Sequence, residues 1–138
     1  MKFLTESPLN LVLLLVALIS GGLLVWPALR SRAGGPKLGT LAATQLINAR
    51  EVQIVDVRSA AEFAGGSLRA ARNLPLPEVA ARASELSKER PVLVVCEAGR
   101  RASVAAVKLR SAGLPEVYIL DGGLGAWRAA GLPVAKAA

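Results

Sequence analysis

The sequence predicts an α/β domain with a largely parallel sheet flanked by helices, preceded by one transmembrane helix. Three observations lead there. From Thr40 onward short apolar runs alternate with helical patterns, as crossover helices between parallel strands require. Ahead of them Pro8 to Leu29 reads PLNLVLLLVALISGGLLVWPAL, 22 residues without a charge, and about 20 apolar residues cross a hydrocarbon core as a helix. A chain of 138 residues has room for one compact domain beside such an appendage. The expected organisation is a tail at 1–7, a transmembrane helix at 8–29, a linker at 30–39 and a folded domain at 40–135.

A cleaved signal peptide competes with the anchor, but its apolar region usually covers about 7–15 residues and ends at small residues. This one ends at Trp26-Pro27 and Arg30, which favours an uncleaved anchor. Trp26 suits a membrane–water boundary, and Arg30, Arg32 and Lys37 follow it against Lys2 and Glu6 on the other flank. The positive-inside rule then puts the N-terminus outside and the domain in the cytoplasm of a bacterial-type inner membrane. Gly21-Gly22 with Ser20 would permit close helix contact, a weak pointer to dimers.

Within the domain, Thr40 is positioned to cap a helix reaching Ala49, and Gln53 to Val57 reads as a buried strand. Ser59-Ala60-Ala61-Glu62 has the form of a capping box at a helix start. Ala71 to Leu74 reads as a short strand, Glu78 to Leu86 as a helix, and Pro91 to Val95 as a central strand, proline being tolerated at its first residue. A helix from Arg101 to Ala112 ends at Gly113. Strand Val117 to Leu120 and a short helix from Leu124 to Ala130, closed by Gly131, complete the domain.

Composition narrows the chemistry. The chain has one cysteine and no histidine, which excludes an internal disulfide, an ordinary zinc site and any His-assisted nucleophile. No metal and no cofactor are expected. Of the net charge of +7, residues 38–138 carry 13 Lys/Arg against nine Asp/Glu. Basic residues are scattered among Glu and Ala without interleaved aromatics, so no nucleic-acid partner is expected.

The informative segment is Val92 to Ser103, VLVVCEAGRRAS. It sets Cys96 directly after a buried strand and before a helix, where parallel α/β sheets bind ligands. Glu97, Ala98, Gly99, Arg100 and Arg101 form a tight connection whose amides can curl inward as an anion nest, helped by the positive end of the next helix. A buried free cysteine is usually inert, but this setting favours a reactive thiolate.

This segment resembles the active-site loop of rhodanese-family sulfurtransferases, a Cys followed by four residues and an Arg. The resemblance continues through Asp56-Val57-Arg58 with Glu62 and Phe63, Asn73-Leu74-Pro75, Val117 to Gly123, Ala126-Trp127 and Gly131 to Val134, in order over nearly all of residues 40–135. It implies a five-stranded sheet and a sulfurtransferase with Cys96 as the catalytic residue. Cys96 would take sulfur from thiosulfate or another small anionic sulfane-sulfur donor, become a persulfide, and pass the outer sulfur to a thiol or protein acceptor. Glu97, Ala98, Gly99, Arg100 and Arg101 would bind substrate: their amides hold the persulfide, Arg101 orients anionic groups, and Arg100 adds positive potential.

Phosphatase relatives of this fold carry the Arg six positions after Cys, where this chain has Ala102, so phosphate chemistry is disfavoured. Gly66-Ser67-Leu68 departs from the family's Gly-His-Ile, and Arg101-Ala102-Ser103 from its Arg-Ser. Asp56, Arg58 and Glu62 read as structural charges at a strand end, and Trp127 as core or hinge in preference to a substrate platform. Two other functions stay open: a non-catalytic module recruiting a membrane-protein partner, and a sensor in which Cys96 is reversibly oxidised.

Overall fold

The computed structural model describes residues 7–33 and 35–136. The tail through residue 6, with Lys2 and Glu6, and the side chains of Trp26, Arg30 and Arg32 lie outside the described part. The chain divides into two units, Met1–Ala33 and Gly34–Ala138.

The described part of the first unit forms helix α1 (Pro8–Ala33), running past the expected end at Leu29. Its window Pro8–Val25 has a mean hydropathy of 2.4 and no buried share. A helix apolar all round and left uncovered is a poor surface for water. Its length and composition suit a membrane anchor and a signal sequence alike.

In the second unit five parallel strands lie in the order β1-β5-β4-β2-β3. They are β1 (Lys37–Leu38), β2 (Gln53–Asp56), β3 (Arg72–Asn73), β4 (Val92–Val95) and β5 (Val117–Leu120). The helices between them are α2 (Thr40–Ala49), α3 (Ala60–Ala64), α4 (Val79–Arg82), α5 (Arg100–Ser111) and α6 (Gly123–Ala129). Alternation along the central strand distributes the core. Val92, Val94 and Cys96 join Ala102, Ala105, Ala106 and Leu109 of α5 on one face. Leu93 and Val95 join Ala43 of α2 and Leu124 and Trp127 of α6 on the other. Burial on both faces explains why β4 is an uninterrupted apolar run. Trp127 is a core residue whose indole N–H donates to the Pro133 carbonyl at 2.9 Å.

Three local expectations differ. The segment read as a linker holds edge strand β1, fixed because Ile119 N–H donates to the Pro36 carbonyl at 3.1 Å and Asp121 N–H to that of Leu38 at 2.8 Å. Two residues are too few to show alternation. The helix read over Glu78 to Leu86 is instead α4 flanked by 3-10 turns at Leu76–Glu78 and Ala83–Glu85. Val79, Ala83 and Leu86 are still buried at helical spacing, so the periodicity holds while the hydrogen bonds tighten. Finally, Gly39 rather than Thr40 occupies the cap of α2, with no side-chain cap bond.

Below the carboxyl end of β2 lies a buried ion pair. Asp56 accepts from the Arg58 amide at 2.9 Å, from its Nη2 at 2.8 Å and from Ser67 Oγ at 2.6 Å, with both partners buried. Arg58 also donates to the Gly66 carbonyl. These charges survive burial because each is paired and hydrogen-bonded. Replacing Arg58→Met strands the Asp56 carboxylate, so urea unfolding of the full chain in non-ionic detergent should show a loss of about 3–5 kcal/mol. Arg50→Met, which removes an exposed pair with Glu116, should change little.

Candidate active site

Cys96 follows β4 directly, and residues 97–99 bend the chain into α5. Gly99 at the start of α5 has φ +99°, the left-handed conformation that glycine adopts without steric cost. It offers no side-chain cap, so the first amides of α5 need another acceptor. Cys96 Sγ supplies it: the Ala102 amide reaches the sulfur at 3.4 Å and the Gly99 amide at 2.9 Å. The positive end of a twelve-residue helix therefore points at the thiol, which favours negative charge on sulfur or on a group bound to it.

The orientation of this bend is imposed from α6. Leu124 N–H donates to the Cys96 carbonyl at 2.8 Å, and Gly125 N–H to that of Glu97 at 3.0 Å. These two bonds fix the peptide units that follow Cys96 and Glu97, and with them the direction in which the chain enters the turn at Gly99. So close an approach needs a glycine. A Cβ at Gly123 would lie 2.6 Å from the Glu97 carbonyl carbon and oxygen and would collide with the Cys96 carbonyl.

Charges around the bend are paired in a definite pattern. Glu97 accepts from Arg128 at 2.7 Å and lies 3.5 Å from Nη1 of Arg58. Arg101 donates through Nη1 and Nη2 to the two Glu62 oxygens at 2.8 and 3.0 Å. Glu62 also completes the capping box with Ser59 at the start of α3. The Arg101 guanidinium, helped by Ser59, holds the Glu62 carboxyl down at about 2 despite partial desolvation. The same hydrogen bonds raise the Arg101 pKa.

The five expected binding residues thus fare differently. Gly99 offers its amide to sulfur; Ala98 and Arg100 lie exposed, Arg100 without an ion pair among the described residues. Arg101 is engaged by Glu62, and Glu97 by Arg128 and Arg58. Cys96 itself is 1% exposed. The amide of Ala102 was not anticipated, although counting three residues beyond the glycine that caps the helix would have pointed to it. Ser67, at the departure from Gly-His-Ile, keeps a donor on Asp56. Among the described residues no cluster of three or more His, Cys, Asp or Glu could hold a metal.

Two measurements check this construction. Because the Glu62 pKa is lowered on folding, its contribution is complete above about 4.5 and is lost as pH falls toward 2. Glu62→Gln should flatten that part of the stability–pH curve. Gly123→Ala should lower stability by about 1–3 kcal/mol, as overpacking does, and should speed alkylation of Cys96 by loosening the bend.

The family model for the rhodanese-like domain matches residues 41–130. A sulfurtransferase of Allochromatium vinosum is 37% identical over 90 residues, covering 65% of this chain and 84% of its own. A thiosulfate sulfurtransferase of Shewanella oneidensis is 38% identical over 86 residues, covering 62% and 85%. An uncharacterised Bacillus subtilis protein is 40% identical over 78 residues, covering 56% of this chain, which spans 62% of that protein's length. The solution structure of a rhodanese-like domain from Anabaena superposes with a TM-score of 0.68 at 30% identity, covering 74% of this chain and 80% of that one. With the family's motifs lying on the loop and strand ends that build the Cys96 site, the chain belongs to the rhodanese-like domain family.

Proposed function

We propose that the protein is a sulfurtransferase in which Cys96 carries sulfur between a thiosulfate-like donor and a nucleophilic acceptor. The convergence of the Gly99 and Ala102 amides on Sγ carries this reading. The relatives named sulfurtransferase support it, each spanning most of its own length.

In the first half-reaction the Cys96 thiolate attacks the sulfane sulfur of thiosulfate. A sulfur–sulfur bond forms to Sγ, the donor's own breaks, and sulfite leaves with the electron pair. The terminal sulfur of the persulfide then bears the negative charge, which the loop amides and the α5 terminus stabilise better than water left to reorganise. In the second half-reaction an acceptor thiolate or cyanide attacks that outer sulfur and the Cys96 thiolate departs. Arg100 attracts the anionic donor from solvent, while Arg101, braced by Glu62, holds positive charge beside the loop. Because Cys96 is nearly covered, donor entry requires the exposed side of the bend, Ala98 to Arg100, to move aside.

The α1 helix serves as an uncleaved anchor in this proposal, with the domain on the cytoplasmic face beside Arg30, Arg32 and Lys37. The unbroken apolar length of the helix supports it, and a reducing compartment suits a thiol that must stay free.

Full-length protein incubated with thiosulfate should gain one sulfur atom on Cys96 by intact mass and form thiocyanate from cyanide. Cys96→Ser should do neither, and an unmodified wild-type mass would overturn the assignment. In intact cells a membrane-impermeant protease should leave the domain whole until the inner membrane is opened; cleavage beforehand would reverse the orientation.

A further inference from the structure

We propose that the outer face of α5 is the docking surface for an acidic protein that accepts sulfur from Cys96. The proposal rests on the sulfurtransferase reading and names the partner class that the site serves. Among the described residues of the folded unit, three large apolar side chains are exposed: Leu41, Val104 at 48% and Val107 at 38%. The two valines lie one turn apart on the helix that begins at the active-site bend. Arg100, Val104 and Lys108 are spaced i, i+4, i+8, and Val107 is i+3 from Val104, so all share one face. At about 1.5 Å per residue the stripe extends roughly 12 Å from the mouth of the loop.

Charge selects the occupant. The α5 sequence RRASVAAVKLRS contains four bases and no acid. Elsewhere Arg50, Arg72, Arg82 and Arg128 each face a glutamate, while bases such as Arg69 and Arg90, which face none among the described residues, flank no exposed large apolar pair. Arg100 and Lys108 face none among the described residues, and they bracket the exposed valines. A small apolar centre with an unneutralised basic border matches a partner with small apolar side chains bordered by Asp and Glu. Valines contribute little to insertion into lipid, where aromatic and longer side chains dominate, and the stripe adjoins the loop where an acceptor thiol must arrive. A protein acceptor therefore fits better than a lipid surface.

The probe is a pair of acetylated peptides with one cysteine among alanines, valines and glutamates, or among the same alanines and valines with lysines. Full-length persulfidated protein in non-ionic detergent should transfer sulfur to the acidic peptide about tenfold faster than to the basic one at low salt, a difference that salt erodes. Val104→Glu combined with Lys108→Glu should erase the preference while transfer to dithiothreitol is retained. Equal rates for the two peptides, or a preference that survives the double substitution, would overturn the proposal. If no persulfide forms, the sulfurtransferase reading fails, and docking is read separately from fluorescence anisotropy of a serine version of the acidic peptide on the Cys96→Ser chain. Binding lost on the double substitution supports the docking face; absence of binding sinks it. Displacement of the peptide by phosphatidylglycerol mixed into the micelles would reassign the face to lipid headgroups and overturn the protein partner.

Discussion

Two hydrogen bonds from the start of α6 to the carbonyls of Cys96 and Glu97 are the constraint on which the site depends. A peptide unit cannot turn its carbonyl one way without turning its amide the other. Anchoring those oxygens on α6 therefore fixes the first two peptide units of the bend, from which the chain enters the turn at Gly99, whose amide reaches the sulfur. Gly123 makes the approach sterically possible and Gly99 lets the chain reverse into α5. The nest is thus a product of helix–loop packing, with the thiol placed where a helix would otherwise carry a capping oxygen.

The charges around this nest form a second layer with a division of labour. The Asp56–Arg58 pair is buried and bonded to neighbouring groups, so it fixes the carboxyl end of β2 and the segment at Gly66-Ser67. Glu97 joins that pair to Arg128 of α6, which keeps a carboxylate beside Cys96 from standing as an isolated negative charge. Glu62 does the same from α3 by bracing Arg101. Repulsion between these two carboxylates and the proposed anionic donor is reduced because each has its own cation. Arg100 is left uncommitted by this arrangement.

Much of this was legible in the sequence because it is local. The run VLVVC fixes a buried strand by composition, and Ser59 with Glu62 fixes a helix start by spacing, as observed. The order of motifs supplied the family and the location of the loop. What was hidden depends on contacts between distant segments. Edge strand β1 is two residues long and exists only because β5 is beside it. The engagement of Arg101 by Glu62 joins positions 39 residues apart, so sequence spacing could assign Arg101 a charge near the loop but not a partner. The role of Gly123 was similarly invisible, since a glycine pair at a helix start reads as a turn until the loop it approaches is known.

Loop size bears on why such a site suits sulfur. Only residues 97–99 separate β4 and Cys96 from α5, and two amides already reach Sγ itself. A ring this tight is scaled to the sulfur atom and to one further atom bonded to it. A tetrahedral phosphate presents several oxygens at once and needs donors spread over a wider arc, with an arginine oriented across them. Here the arginine at the loop's end is braced sideways by Glu62, and the position one residue later is Ala102, whose side chain is buried beneath α5. Widening the loop by one residue would shift the start of α5 and withdraw the Ala102 amide from sulfur. The compactness that suits the proposed persulfide therefore works against enclosing a phosphoryl group.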